Sequence, residues 1–282
     1  MRFATPSISE RHQDYPVLNR IRSAIFSRAG GEESLLSQFP LLLQDAIDFV
    51  LDPVHTARSA VRDLDNVEKT FIGLKIEHFV RDFLDVPKGL RDLRIDGLDV
   101  DVKNTVGGTW MIPPETYRNE EPCLLIAIAD DERKCWMGLM LARSEYLGAL
   151  EGNRDGKRSV LKKGKENILW IVEGIKLPAS RWVDIDMEVF RKLRNIKGGT
   201  KRAAEFFRLN RQKIIHRSIV QALLFDQRDY MKRLRGNGGA RDLLASEGIL
   251  LLSGAYDKTR IEQFFGRPVS RDEFIALDSP DG

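Results

Sequence analysis

The first third of the chain carries a helical pattern of apolar residues. Apolar side chains recur every three or four positions in residues 15–28, 33–51 and 67–83, which predicts three amphipathic helices. Pro53 is expected to stop the second helix. Residues 1 to about 14 lack the pattern, and we expect them to form a mobile leader. Glu77 lies on the border of the apolar stripe of the third helix.

The next stretch alternates between apolar and charged residues. Leu98, Val100 and Val102 alternate with Asp99, Asp101 and Lys103, which predicts a strand with one aliphatic and one charged face. Residues 92–97 predict a shorter strand and a turn, since Gly97 can adopt a positive φ. The two strands would bring Asp92 or Asp96 close to Asp101 and Lys103.

Three further segments predict a sheet. Residues 123–129 form a continuous apolar run, which is typical of a strand covered on both faces. Residues 134–142 and 167–172 predict its neighbours. The fold class is therefore α/β (α+β), a mixed sheet flanked by helices.

The last hundred residues have a different character. Residues 176–180 predict a linker, which divides the chain into domains of residues 1–175 and 176–282. Helices are predicted at 200–209, with Thr200 as N-cap, at 216–224 and at 229–245, and a strand of a wing at 247–254. The second helix would present Arg217, Ser218 and Gln221 outward near its start, as a recognition helix requires. The alternative is a basic helical subdomain that binds nothing.

Charge is distributed unevenly along the chain. The net charge is only +3, yet residues 196–245 contain twelve Lys and Arg against four acids, and residues 153–165 contain six against one. Two basic stretches indicate two contacts with a polyanion, although such stretches are often solvated faces. Cys123 and Cys135 form no metal-binding pattern, which favours reduced thiols. With no signal peptide and no run of about 20 apolar residues, we expect a soluble cytoplasmic protein.

The charged face of the strand pair is the candidate site of chemistry. Hard divalent cations bind several converging carboxylate oxygens, and a nearby lysine can orient a metal-bound water. Asp101 and Lys103 are the central candidates, and spacing alone leaves Asp92 and Asp96 equally suitable. Glu77 joins them only if its helix packs on the strands; considered alone, it is an ordinary surface residue.

Five segments together resemble a known family. Over roughly residues 60–255, the chain is similar to the NaeI family of type II restriction endonucleases. The segments that carry the similarity, in the same order, are Lys69-Thr70 with Glu77, and residues 92–103, 110–115, 152–158 and 167–170. The resemblance implies a PD-(D/E)xK nuclease domain followed by a winged-helix domain. It implies that Glu77, Asp92, Asp101 and Lys103 are catalytic, with Glu77 as the carboxylate on the helix.

The same resemblance implies a cofactor and partners. Glu77, Asp92 and Asp101 would hold Mg²⁺ for the hydrolysis of double-stranded DNA. A homodimer would engage up to two copies of its recognition sequence, one cleaved and one acting as effector, and a cognate DNA methyltransferase would protect the host.

The polar segment before residue 160 supplies the candidate DNA contacts of the first domain. Arginine reads guanine with two hydrogen bonds, and asparagine suits adenine or the backbone. The candidates are Asn153, Arg154, Asp155, Lys157 and Arg158. The alternative is a solvated turn.

Two other functions fit the same residues. One is a repair or nicking endonuclease on this scaffold, and the other is a winged-helix DNA-binding regulator with an inactive nuclease domain. The four histidines have no metal-ligand spacing, and we interpret them as structural.

Overall fold

The computed structural model describes residues 3, 5–106, 108–149, 155–182 and 184–279. The chain divides into two compact units. Unit 1 contains Met1–Val50 and Leu64–Ala179, and unit 2 contains Leu51–Asp63 and Ser180–Gly282. The second unit thus includes a segment that lies far upstream of the linker region.

The helices and strands are numbered in chain order. The helices are α1 (Tyr15–Arg28), α2 (Glu32–Leu51), α3 (Pro53–Thr56), α4 (Asn66–Phe83), α5 (Pro114–Tyr117), α6 (Lys162–Lys165), α7 (Met187–Arg194), α8 (Gly199–Leu209), α9 (Arg217–Leu223), α10 (Ala240–Ala245) and α11 (Lys258–Phe265). The strands are β1 (Leu93–Ile95), β2 (Leu98–Val106), β3 (Met111–Ile112), β4 (Pro122–Ala129), β5 (Lys134–Leu141), β6 (Arg158–Ser159), β7 (Leu169–Lys176), β8 (Ile215–His216), β9 (Ile249–Ser253) and β10 (Glu273–Asp278).

The three predicted N-terminal helices are confirmed as α1, α2 and α4. Helix α4 begins with a capping box, in which Asp65 accepts from the Glu68 backbone N–H and Glu68 accepts from that of Asp65. Among the described residues, α2 with the turn after it is long and apolar enough to cross a membrane by length and composition alone. Its residues Phe39, Leu43 and Ile47 are buried, which is the environment of a core helix.

The N-terminal segment does not behave as the predicted leader. Phe3 is buried against Trp110 and Trp136. The backbone N–H of Ile8 donates to the Ile168 carbonyl at 3.1 Å, so the described part of this segment contacts the start of β7. The prediction was wrong because residues 5–9 form no regular element, and their burial depends on contacts far away in sequence.

Unit 1 is built on a five-stranded mixed sheet with the strand order β1-β2-β4-β5-β7. Strands β2 and β4 are parallel, and the other neighbours are antiparallel. Every residue of β4 is buried, as the continuous apolar run predicted. The β1–β2 turn places Asp96 and Gly97 at φ 49° and 79°, which suits a two-residue hairpin. The predicted hairpin and mixed sheet are therefore confirmed.

Helix α4 approaches strand β2 closely at one glycine. A Cβ atom added to Gly73 would lie 2.2 Å from the Asn104 Nδ2 atom, well inside van der Waals contact. Glu77 follows Gly73 by one helical turn and therefore lies on the same side of α4. The missing side chain at position 73 thus sets how closely the helix that carries Glu77 can pack on the strand that carries Asp101.

Unit 2 combines helices with a small antiparallel sheet in the order β8-β10-β9. The predicted helix at 200–209 is confirmed, but its N-cap is Gly198 rather than Thr200. The predicted helix at 216–224 is confirmed as α9, with Ile219, Val220 and Leu223 buried.

The prediction of one long basic helix at 229–245 was wrong. A short 3-10 turn at Met231–Leu234 and the six-residue α10 replace it. Gly236, Gly238 and Gly239 separate the two, and a Cβ atom at Gly239 would lie 1.9 Å from the Arg235 carbonyl oxygen. The glycines therefore prevent a continuous helix here, although the apolar residues have helical spacing.

We expect Gly73→Ala to destabilise unit 1 by about 1–2 kcal/mol, because overpacking against Asn104 outweighs the gain in helix propensity. Combining it with Asn104→Ala should recover most of the loss. Urea denaturation followed by tryptophan fluorescence measures this, since Trp110, Trp136 and Trp170 lie in unit 1. Asn104→Ala alone is the control, and strictly additive effects would contradict the close packing.

Candidate active site

The β1–β2 hairpin positions two carboxylates side by side. Asp92 immediately precedes β1, and its Oδ2 atom accepts from the Val102 backbone N–H at 2.7 Å. This bond fixes the Asp92 side chain against strand β2, beside Asp101. In the register of the hairpin Leu93 lies opposite Val100, so the residue before Leu93 falls next to the residue after Val100.

Asp101 is a buried carboxylate, with 3% of the residue exposed. Its Oδ2 atom accepts from the Thr116 hydroxyl at 2.7 Å, and its Oδ1 atom accepts from the Lys103 ammonium. Burial raises the pKa of Asp101 above its usual value, while Lys103 and Thr116 oppose that rise and the neighbouring Asp92 adds to it. The ionised form therefore depends on a cation nearby.

Lys103 supplies that cation in the structure. Its Nζ atom donates to Asp101 Oδ1 and to the Val102 carbonyl at 3.0 Å, and it lies 3.7 Å from Asp92 Oδ2. Three oxygen atoms thus converge on one positive charge. The Lys103 side chain remains 23% exposed, so the cluster is open to solvent and to a ligand.

Glu77 is not part of this cluster. Its carboxylate lies 3.9 Å from Arg81 on the same helix, and its side chain is largely buried. Among the described residues, no group of three or more histidine, cysteine, aspartate or glutamate side chains is arranged to hold a metal ion. The structure therefore brings together Asp92, Asp101 and Lys103, and leaves Glu77 paired with Arg81.

The other two hairpin carboxylates have separate partners. Asp96 lies at the turn and forms an ion pair with Arg20 of α1. Asp99 accepts from the Leu90 backbone N–H at 2.6 Å and so fixes the loop before the hairpin. Of the two residues that spacing left equivalent, Asp92 faces Lys103 and Asp96 faces away along the hairpin.

Sequence reasoning missed the residues that support the cluster. Thr116 is fully buried on α5, and its only sequence signal is its position directly after residues 110–115. Arg91 donates to the Glu121 carboxylate and to the Glu115 carbonyl, which ties the start of the hairpin to α5 and to the start of β4. These bonds hold Thr116 against Asp101.

Comparison with known proteins identifies the relationship. The family model described as restriction endonuclease NaeI matches residues 36–278. The chain is also 30% identical to the type II restriction enzyme NaeI of Lentzea aerocolonigenes over 264 residues, which is 90% of this chain and 80% of that relative.

The chain belongs to the NaeI family of restriction endonucleases. It is therefore a site-specific DNA endonuclease, and the family match includes most of both units. The resemblance found in the sequence is confirmed.

Within this NaeI-family protein, the predicted DNA contacts of unit 1 have varied surroundings. Asn153 and Arg154 lie outside the described residues. Asp155 and Lys157 form an exposed ion pair at 3.6 Å. The Arg158 guanidinium donates to the carbonyls of residues 144, 147 and 148 and lies over the Tyr117 ring. Arg158 therefore holds a loop in place, and its role as a DNA contact stays a prediction.

The candidates in unit 2 lie at the start of α9. Arg217 donates to the Tyr230 hydroxyl at 2.8 Å and lies 3.4 Å from Asp272. Ser218 donates its backbone N–H to His216 Nδ1, which caps the helix, and burial lowers the pKa of His216. Gln221 is exposed. His216 is thus structural, as expected, while the DNA roles of the three α9 residues stay predictions.

We expect Thr116→Val to lower the cleavage rate about 10- to 100-fold, the usual effect of losing a hydrogen bond that orients a reactive group. Because the Thr116 hydrogen bond lowers the pKa of Asp101, its loss should also move the acid limb of the pH–rate profile to higher pH. Single-turnover cleavage across pH measures both effects. Thr116→Ser, which keeps the hydroxyl, is the control, and a wild-type rate and profile in Thr116→Val would contradict this role.

Proposed function

We propose that the protein is a Mg²⁺-dependent type II restriction endonuclease whose nuclease domain is unit 1, with Asp92, Asp101 and Lys103 as catalytic residues. The convergence of these three side chains at the edge of the sheet is the observation that carries the proposal. Family membership supplies the reaction, which is the hydrolysis of DNA phosphodiesters at a specific sequence.

The donor atoms of the cluster fit a hard divalent cation. Carboxylate and carbonyl oxygens are the ligands that Mg²⁺ prefers, and Asp92 Oδ2, Asp101 Oδ1 and the Val102 carbonyl all lie near the Lys103 ammonium. The buried Asp101 needs a positive charge nearby, which supports cation binding. A bound Mg²⁺ would polarise the scissile phosphate and lower the pKa of an attacking water.

The protein side chains then have distinct roles. Asp92 and Asp101 would hold the cation, and the Thr116 hydroxyl and the Val102 backbone N–H fix the direction of their oxygens. A bound cation would share with Lys103 the neutralisation of Asp101. The Lys103 ammonium could then donate a hydrogen bond to the attacking water and stabilise the negative charge that develops on the phosphate. The two-residue spacing on one strand keeps the acid and the amine on the same face.

Glu77 is proposed as a further cation ligand. The close approach of α4 to β2 at Gly73 supports this, since Glu77 follows one turn later on the same face of the helix. Its ion pair with Arg81 is long, at 3.9 Å, and therefore weak. Glu77 would exchange Arg81 for the cation.

Unit 2 is proposed to be a winged-helix DNA-binding domain. Elements α8, β8, α9, α10, β9 and β10 occur in this order, with α11 between β9 and β10, and β8 pairs with β10. Apart from α11, this is the order of elements in a winged helix. In that order α9 and α10 form the helix-turn-helix pair, and the second helix enters the groove. We therefore assign groove contact to α10 instead of α9, the recognition helix that the sequence predicts, and place Arg217, Ser218 and Gln221 of α9 beside the DNA backbone. A second, effector copy of the recognition sequence would bind here.

Binding to DNA by unit 1 is proposed to use the segment that contains Asn153, Arg154, Asp155 and Lys157. The exposure of Asp155 and Lys157 supports this. A cognate DNA methyltransferase would protect host DNA from the enzyme, because unmodified copies of the site in the genome would otherwise be cut.

We expect Asp101→Asn and Lys103→Ala each to abolish Mg²⁺-dependent cleavage while DNA binding persists, because each removes one half of the charge arrangement at the phosphate. Plasmid digestion with and without Mg²⁺ and gel-shift binding measure the two properties. Asp96→Asn is the matched control, since Asp96 lies on the same hairpin but faces Arg20.

Full cleavage by Asp101→Asn or Lys103→Ala would reject the assignment. Nicks in one strand at the site, instead of double-strand breaks, would support a repair or nicking endonuclease.

A homodimer is proposed because cutting both strands of a palindrome requires two symmetric active sites. Helix α4 exposes Val67, Phe71 and Leu74, which lie on one face by their spacing, and Phe49 of α2 lies beside them under Lys75. An exposed apolar surface on neighbouring helices is typical of a protein interface. A second copy of the chain is its proposed occupant.

We expect the double variant Phe71→Glu, Leu74→Glu to be a monomer, because opposed carboxylates in an apolar interface cost several kcal/mol. Sedimentation velocity measures the mass, and plasmid digestion should show nicked circles at the expense of linear product. The control is Leu209→Glu, which places the same charge on an exposed leucine of unit 2. If the variant remains a dimer, this surface is not the dimer interface.

A further inference from the structure

A cavity lined by arginines lies within unit 2. It has a volume of about 240 Å³ and lies between the start of α9, the loop before α10 and the facing ends of β9 and β10. Its charged lining consists of four arginines, Arg217, Arg235, Arg241 and Arg271, and one carboxylate, Asp272. Leu234 and Phe274 supply apolar surface. Four guanidinium groups around one small cavity favour an anionic occupant.

Two polar atoms at this cavity lack a hydrogen-bond partner. Over the described part of the chain, Arg241 Nε and Ser253 Oγ are the buried side-chain nitrogen and oxygen atoms without one. Both residues line the cavity, and Ser253 is only 3% exposed. Leaving a buried donor unpaired costs about 1–3 kcal/mol, so two at one place indicate a ligand that accepts hydrogen bonds.

The positive charge at the cavity is only partly neutralised. Arg217 lies 3.4 Å from Asp272, and Arg241 lies 3.8 Å from Asp257. In the described ranges, Arg235 and Arg271 have no carboxylate within ion-pair distance. Two positive charges thus remain in excess, which matches a doubly or singly charged oxyanion such as a phosphate group.

The rim of the cavity carries an exposed aromatic side chain. Tyr256 is 87% exposed and lines the cavity beside Ser253. The turn that carries both residues is held by Asp257, which accepts from the Ser253 backbone N–H at 2.9 Å. A tyrosine in this position can stack on a base or a sugar attached to the phosphate.

We propose that this cavity binds the phosphate group of a nucleotide. Ser253 Oγ and Arg241 Nε donate to its oxygens, Arg235 and Arg271 supply charge, and Tyr256 contacts the attached nucleoside. The inference rests on the proposed role of unit 2 in DNA binding. The nucleotide is either one backbone position of DNA or a free mononucleotide, since both present the same phosphate chemistry.

Binding assays in EDTA test this inference without cleavage. A fluorescent 20-base-pair duplex is titrated at several salt concentrations, and thymidine 5′-phosphate and inorganic phosphate are titrated by calorimetry. Ser253→Ala and Arg235→Gln should each weaken binding about tenfold, as the loss of one hydrogen bond or charge contact to a phosphate implies. For DNA, the slope of log K against log salt should fall by about 0.9 in Arg235→Gln.

The control is Arg260→Gln, which removes an exposed arginine of unit 2 outside the cavity. Thermal unfolding without ligand should show that Ser253→Ala is at least as stable as wild type, because its hydroxyl has no partner to lose. This readout separates a binding defect from a folding defect.

Comparing the duplex with thymidine 5′-phosphate identifies the source of the phosphate. Loss of duplex affinity alone would assign the cavity to the DNA backbone, and loss of thymidine 5′-phosphate binding would assign it to a free nucleotide. Wild-type affinity of Ser253→Ala and Arg235→Gln for all three ligands would overturn the inference. Because cleavage depends on Asp101 and Lys103, failure of the proposed nuclease function would appear in the digestion assays and not here.

Discussion

The buried carboxylate of Asp101 imposes the constraint on which unit 1 depends. An aspartate that is 3% exposed is stable as an anion only with a cation and hydrogen-bond donors within reach. The hairpin supplies Lys103 two residues later, and α5 supplies Thr116. The Arg91 bonds to Glu121 and Glu115 then hold α5 in register with the hairpin. Much of the local architecture therefore serves to keep one negative charge in place.

Where the sequence pattern was local, it predicted the structure well. Helices α1, α2 and α4, the β1–β2 hairpin and the apolar β4 all follow from short-range periodicity. Asp92 and Asp96 could not be separated, because their difference arises from distant partners: Asp96 meets Arg20 of α1, whereas Asp92 meets the Val102 backbone. Thr116 was missed for the same reason.

Unit 2 shows how local backbone chemistry overrides a pattern. Residues 229–245 have helical spacing and many basic side chains, yet three glycines interrupt them. At Gly239 the chain passes so close to the Arg235 carbonyl that no side chain fits. The turn this allows brings Arg235 and Arg241 to one cavity, instead of spreading them along a helix. The broken helix is thus what concentrates the charge.

Counting basic residues could not locate the binding surfaces, because arginines of equal charge have different environments. Arg202 lies in the most basic stretch, but it is buried and donates to the Ile196 and Leu223 carbonyls and to Asp226. Arg158 likewise holds the loop at 144–148. Arg235 and Arg271, in contrast, line a cavity and have no carboxylate within ion-pair distance in the described residues. A guanidinium forms hydrogen bonds to a phosphate through N–H donors that have no partner within the protein. Arginine donors without such a partner therefore indicate the binding surface better than the net charge does.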